Sequence, residues 1–68
     1  MKKGTVKWFS VDKGFGIISP TENGDDLIFY IKDNINLNAT DIHEGLTVIF
    51  DVVNGIKGDT AVNVQVVR

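Results

Sequence analysis

The chain places an aromatic residue between two glycines, followed by two aliphatic residues, in the stretch Lys13-Gly14-Phe15-Gly16-Ile17-Ile18. Aliphatic residues favour a β-strand, and glycine neighbours give the phenylalanine little same-strand support for burial. Upstream lies Lys7-Trp8-Phe9, and downstream lies Asp26-Leu27-Ile28-Phe29-Tyr30-Ile31, so that five of the six aromatic residues fall in the first half. Aromatic side chains on a sheet surface stack nucleobases while neighbouring lysines contact phosphates. Single-stranded nucleic acid is therefore the leading hypothesis for a ligand.

Length and composition predict one small soluble domain over residues 1–68. A hydrophobic content of 43% is sufficient for a packed core. The absence of cysteine excludes a disulfide framework and a thiolate metal site. No apolar segment of a signal peptide follows Met1-Lys2-Lys3-Gly4, and no apolar run approaches the roughly 18 residues of a membrane span. We therefore expect a cytoplasmic location and no membrane partner.

The charge balance is less typical of a nucleic-acid-binding domain. Seven Lys and Arg against nine Asp and Glu give a net charge of −2, whereas such domains are more often basic. Four lysines nevertheless lie in the first 13 residues, namely Lys2, Lys3, Lys7 and Lys13. This distribution allows a sheet face of modest positive potential and predicts weak attraction to duplex DNA. Lys2, Lys3 and Lys32 are expected to be solvated charges.

Strand-like segments alternate with turn signals along the chain. The predicted strands are Thr5 to Val11, Gly14 to Ser19, Leu27 to Ile31, Leu46 to Val53 and Thr60 to Val67. Pro20 ends the second strand, and Asn23-Gly24 supplies the positive φ of a tight turn. The polar segment from Lys32 to Glu44 predicts a long loop with room for a short helical turn. Five short strands predict an all-β fold in the form of a small barrel.

Alternation within these strands predicts which side chains form the core. They are Val6, Ile18, Leu27, Phe29, Ile31, Val48, Phe50, Val52, Val62 and Val64, with Val66 on the same side as Val64. Alternation puts Ile28 and Tyr30 on the outer face. It also puts Trp8 on the inward face of Val6. An exposed Trp8 therefore requires a bulge or strong coiling of the first strand.

Several blocks of the sequence together resemble the bacterial cold-shock protein family. They are Lys7-Trp8-Phe9, Lys13-Gly14-Phe15-Gly16, Asp26-Leu27-Ile28-Phe29-Tyr30-Ile31, Glu44-Gly45 and Ala61-Val62-Asn63-Val64. These blocks occur in the family's order and cover nearly the whole chain, from Gly4 to Val66. The resemblance implies a five-stranded antiparallel OB-fold barrel that binds single-stranded RNA and DNA. It also implies activity as an RNA chaperone or as a regulator of transcription and translation.

The resemblance also implies a set of nucleic-acid-binding residues. They are Lys7, Trp8, Lys13, Phe15, Ile17, Asp26, Ile28, Tyr30 and Lys57. Trp8 and Phe15 match base-stacking aromatic positions, and the three lysines match basic positions. Asp26 matches an acidic residue that accepts hydrogen bonds from base edges. Tyr30 stands where the family carries a histidine, and it keeps a ring that can stack.

Other positions depart from the family pattern. Ile17 and Ile28 stand where phenylalanines are usual, Ile31 replaces a frequent phenylalanine, and Ala39 stands where an aromatic is common. Base stacking on an aromatic side chain is worth roughly 1–3 kcal/mol. Isoleucine keeps apolar contact with a base but lacks the flat π surface. Losing two such surfaces predicts binding that is roughly 10- to 100-fold weaker than that of a relative with the full set.

Two other classes of function compete with nucleic-acid binding. The sequence shows no nucleophile and base that could act together in catalysis, and its one histidine, His43, lies in a loop next to Glu44. We therefore expect no enzymatic activity, no metal and no cofactor. The alternative is a protein-interaction or self-association module on the same barrel, with Ile17, Ile28 and Ile49 as an apolar patch. We expect a monomer if the protein binds nucleic acid, and a homodimer if it is a self-association module.

Overall fold

Five strands form a closed barrel in the computed structural model, which describes residues 1–22, 24–34, 37–56 and 58–67. The strands are β1 (Lys2–Ser10), β2 (Phe15–Pro20), β3 (Leu27–Tyr30), β4 (Thr47–Gly55) and β5 (Gly58–Val66). Their order is β1-β2-β3-β5-β4, and pairing of β4 with β1 closes the barrel and removes free sheet edges there. Neighbouring strands are antiparallel, except that β3 and β5 are parallel. The prediction of an all-β, OB-type barrel is confirmed.

The strand boundaries follow the predicted turns with local differences. β1 begins earlier than predicted, at Lys2, because the chain from Lys2 to Thr5 already pairs with β4. β2 ends at Pro20, whereas the predicted turn residue Asn23 lies outside the described residues. The polar loop contains two short 3-10 turns, Ile31–Asp33 and Ala39–Asp41. Within the described residues, no helix has the length and apolar character needed to cross a membrane.

The core fills the interior of the barrel with aliphatic and aromatic side chains. It consists of Val6, Ile18, Leu27, Phe29, Leu37, Ile42, Val48, Phe50, Ala61 and Val64. Most of the predicted core residues are among them. Ile31 and Val52 are only partly buried and pack against this core from its edge. Leu37 and Ile42, which the prediction missed, come from the polar loop and join the same core.

The predicted inward face of β5 is wrong at Val62. Ala61 is buried, whereas Val62 is only half-buried. The register between β4 and β5 shifts at this point, and Asn63 has a positive φ of 54°. Because a bulge inserts one extra residue, it reverses the alternation beyond it. Ala61 and Val64 therefore both face the core although an odd number of positions separates them.

Asn34 is the buried polar residue of the described chain, with only 3% of its surface exposed. Its Nδ2 donates a hydrogen bond to the carbonyl oxygen of Tyr30 at 2.6 Å. Its Oδ1 accepts one from the backbone N–H of Val64 at 2.9 Å. β3 and β5 pair at only two positions. The Asn34 amide therefore extends the link between these two strands beyond their short ladder, with both of its polar ends satisfied.

Replacing Asn34 by alanine is expected to lower the free energy of unfolding by about 1–3 kcal/mol, because it leaves two backbone groups without partners. Urea denaturation followed by Trp8 fluorescence measures this loss. Asn54→Ala is the matched control, since Asn54 is exposed and bonds the side chain of Asp59 in the β4–β5 hairpin. That control should stay within about 0.5 kcal/mol of the parent protein. Equal losses in the two variants would contradict the role assigned to Asn34.

Gly16 permits a close approach of β1, β2 and the core. A Cβ atom at this position would lie 2.6 Å from the carbonyl oxygen of Trp8 and 2.7 Å from the Phe29 ring. Gly16→Ala is therefore expected to destabilise the fold by about 1–3 kcal/mol through overpacking. In the exposed hairpin, the contact that a Cβ at Gly55 would make with the described residues is with the carbonyl oxygen of Gly58, at 3.0 Å.

Gly55→Ala is thus the control for Gly16→Ala, because both changes restrict the unfolded chain in the same way. The difference between the two midpoints of thermal unfolding then reports the clash inside the barrel. A Gly16→Ala protein as stable as the Gly55→Ala protein would show that no such clash exists.

Candidate nucleic-acid interface

A β-bulge in β1 determines the orientation of Trp8. Val6 pairs with Ile18 of β2, whereas Trp8 pairs with Ile17, so that β1 contains one extra residue at Lys7. The bulge interrupts the alternation that would otherwise turn Trp8 inward. The Trp8 side chain is 39% exposed. The bulge that an exposed Trp8 was expected to require is therefore present.

The residue after Trp8 belongs to the core side of the sheet. Phe9 stacks on the buried ring of Phe29, with ring centroids 5.8 Å apart and planes 10° apart. Its partner on β2 is Gly16, which has no side chain to occupy the space of the Phe29 ring. β1 therefore presents Trp8 to solvent and Phe9 to the interior.

Trp8, Phe15 and Tyr30 form a continuous outward surface, which we call the aromatic stripe. The ring centroids of Trp8 and Phe15 are 5.4 Å apart, and those of Phe15 and Tyr30 are 6.2 Å apart. Phe15 and Tyr30 are also direct cross-strand partners on β2 and β3. Rings at such distances are in mutual contact. Three adjacent strands thus supply one surface of the kind on which unpaired bases stack.

Ile17 and Ile28 extend this surface and are called the aliphatic pair below. They face each other across β2 and β3, with Ile28 38% exposed and Ile17 half-buried. Trp8 is the cross-strand partner of Ile17 on the other side. The aliphatic pair therefore adjoins the aromatic stripe and offers apolar contact without a ring.

Ile49 is separated from the aliphatic pair by the register of the barrel. Its partners are Lys3 on β1 and Gln65 on β5, and both are exposed. Polar residues therefore border Ile49 on both sides. The cross-strand pairing does not create the single patch of Ile17, Ile28 and Ile49 that the protein-interaction alternative requires.

Lys7 and Asp26, both predicted to contact nucleic acid, form an ion pair with each other. Lys7 Nζ lies 2.9 Å from Asp26 Oδ2, and the two side chains are 64% and 40% exposed. An exposed ion pair is worth about 0–1 kcal/mol. A base edge or a phosphate can therefore replace either partner at little cost. Until then, the charge of Lys7 is largely compensated.

Lys32, which was expected to be a solvated charge, lies next to the aromatic stripe. Lys32 Nζ is over the Tyr30 ring, 5.8 Å from its centroid, which is a cation–π distance. Lys13 lies near the same end of the stripe, because the carbonyl oxygen of Gly14 accepts a hydrogen bond from Ile31 N–H at 2.9 Å. The sequence offered one indication that Lys32 lies near the stripe, namely that it follows Tyr30, the last residue of β3, by two positions.

The structure brings the predicted site residues to one part of the barrel. Those within the described chain lie on β1, β2 and β3 or in the segments next to these strands, namely Lys7, Trp8, Lys13, Phe15, Ile17, Asp26, Ile28 and Tyr30. The remaining predicted residue, Lys57, lies outside the described residues.

Sequence comparison relates the chain to known proteins of nearly the same length. A sequence model of the 'Cold-shock' DNA-binding domain matches residues 2–67. Cold shock protein CspC of Bacillus subtilis is 45% identical over 65 residues, which are 96% of this chain and 97% of that protein. Major cold shock protein CspA of Pseudomonas aeruginosa is 47% identical over 66 residues, which are 97% of this chain and 94% of that protein.

Structural comparison agrees on the fold. The solved structure of drosophila Unr CSD456 matches with a TM-score of 0.78 at 19% identity, over 98% of this chain and 26% of that one. Identity this low supports the barrel alone, whereas the sequence matches extend over almost every residue. The chain therefore belongs to the cold-shock domain family of nucleic-acid-binding proteins.

Proposed function

We propose that the protein binds single-stranded RNA or DNA on the aromatic stripe and acts as an RNA chaperone or a regulator of transcription or translation in the cytoplasm. The supporting observation is the mutual contact of Trp8, Phe15 and Tyr30 on one outward face. In a duplex the base faces are already stacked, whereas unpaired bases have free faces for a ring. The stripe therefore favours unpaired strands, and a strand held there cannot pair with itself.

Stacking is the main source of affinity in this proposal. The protein carries a net charge of −2, and Lys7 is compensated by Asp26. Few phosphate contacts release few counterions, so the affinity should depend only weakly on salt. Neither a cofactor nor a catalytic group takes part. The protein acts as a monomer, because one barrel carries the whole stripe.

The aliphatic pair sets the strength of this binding. Ile17 lies beside Trp8, and Ile28 lies beyond Ile17 on β3, so a base that leaves the stripe can rest on them, but neither offers a π surface. Each lost ring removes part of the roughly 1–3 kcal/mol that a stacked base contributes. We infer that the protein binds single strands less tightly than a relative with rings at both positions.

Phe15→Ala is expected to weaken binding roughly 5- to 100-fold, because it removes the central ring of the stripe. Quenching of Trp8 fluorescence by oligothymidine and oligouridine measures the affinity. Val67→Ala is the control, since Val67 is an exposed apolar residue after the end of β5 and outside the stripe. The control should bind like the parent protein. No quenching of the parent protein at high micromolar oligonucleotide would reject the proposed function.

Size-exclusion chromatography with light scattering tests the protein-interaction alternative in the same samples. The proposed function predicts a monomer that gains the mass of one oligonucleotide. A dimer whose mass does not change when the oligonucleotide is added would support self-association instead.

The double change Ile17→Phe and Ile28→Phe is expected to raise the affinity roughly 10- to 100-fold, because it adds two rings next to the stripe. The same titration measures it. Ile49→Phe is the matched control, since Ile49 faces outward between Lys3 and Gln65, away from the stripe. An unchanged affinity of the double variant, or submicromolar binding by the parent protein at physiological salt, would contradict the inferred weakening.

A further inference from the structure

We propose that Lys32 is a phosphate-binding residue that covers Tyr30 in the free protein and moves to the nucleic-acid backbone when a base takes its place on the ring. This inference rests on the proposed function and specifies one end of the binding surface. It adds a residue that the family resemblance did not supply.

The ammonium group of Lys32 lies against the Tyr30 ring. Lys32 Nζ lies over the Tyr30 ring, 5.8 Å from its centroid, while Phe15 contacts the same ring with its plane tilted by 44°. A base that stacks on the ring face beneath the ammonium group must therefore displace Lys32. A cation–π contact at an exposed site is weaker than base stacking. The base accordingly displaces Lys32.

Hydrogen bonds hold the backbone of Lys32 in place beside Tyr30. Lys32 is the central residue of the 3-10 turn Ile31–Asp33, and Asn34 N–H closes this turn on the Ile31 carbonyl at 3.0 Å. The buried Asn34 side chain also bonds the Tyr30 carbonyl. The Cα atom of Lys32 is thus held beside Tyr30, whereas its flexible stem lets the charge move. A displaced ammonium group stays within reach of the sugar-phosphate backbone that accompanies the base.

The charges near Tyr30 determine how Lys32 acts on a bound strand. Among the described residues, Lys7 is paired with Asp26 in the free protein, and the lysines of the segments next to Tyr30 are Lys13 and Lys32. Asp33 is exposed and follows Lys32 directly, which keeps the long-range potential at this end small. Lys32 therefore acts through direct contact with a phosphate rather than through a distant field.

Lys32→Gln is the test of this contact, because glutamine removes the charge and keeps a polar side chain. Trp8 fluorescence titrations with an oligothymidine of about six nucleotides give the affinity at several salt concentrations. Loss of one phosphate contact should reduce the slope of log K against log salt by about 0.7. At low salt the affinity should fall about two- to fivefold. Lys3→Gln is the matched control, because it also removes one lysine charge but lies on β1 about 16 Å from Trp8. This control should leave the salt slope unchanged.

Oligothymidines with a single uncharged methylphosphonate linkage locate the contact. In the parent protein, one linkage position should weaken binding more than the others. In Lys32→Gln, a methylphosphonate at that position should weaken binding no more than one at any other position. Proton NMR reports whether Lys32 covers the ring. In the free protein, the Tyr30 ring current should shift the Lys32 ε-methylene protons upfield, and in the complex this upfield shift should disappear.

The outcomes separate this inference from the proposed function. If the parent protein binds and the salt slope of Lys32→Gln equals that of the parent, the inference is wrong and the proposed function stands. The inference is equally wrong if the parent protein binds and Lys32 keeps its upfield shift in the complex. If the parent protein binds no oligothymidine at all, both proposals fall.

Discussion

The extra residue in β1 is the feature on which both the core and the binding face depend. With Lys7 as a bulge, Trp8 pairs with Ile17 and contacts Phe15 on the outside of the barrel. The same displacement sends Phe9 inward onto Phe29. Without the extra residue, strict alternation would exchange these two large side chains. One insertion therefore supplies a ring to the interior and a ring to the surface from consecutive positions.

The aromatic stripe is anchored to buried structure at both of its ends. At one end, the Trp8 carbonyl packs against Gly16, where a side chain would not fit. At the other end, the Tyr30 carbonyl accepts a hydrogen bond from the buried amide of Asn34. The stripe therefore needs little ordering when a strand binds. Because ordering costs reduce affinity, a preorganised surface keeps more of its stacking energy.

Sequence patterns predicted those parts of the barrel in which side-chain direction is a local property. The period of two held along β2 and β3, and it failed where a bulge added a residue, at Lys7 and at Asn63. The first bulge was foreseen only as a condition for an exposed tryptophan, since a bulge depends on the partner strand. Leu37 and Ile42 were missed because their burial results from the fold of a polar loop rather than from any repeat. The place of Lys32 over a ring likewise depends on the turn that follows β3.

A negative protein that binds a negative polymer must rely on short-range contacts. At physiological ionic strength the screening length is about 8 Å, so acidic residues on remote loops have little effect on a strand lying on the stripe. What matters is the charge within contact distance, where Lys7 is compensated by Asp26 and Lys32 lies over Tyr30. Both lysines thus have weak partners in the free protein that a bound strand can replace. In the proposed function, stacking on the aromatic stripe holds the strand, and the missing rings of the aliphatic pair shorten the time for which it stays bound.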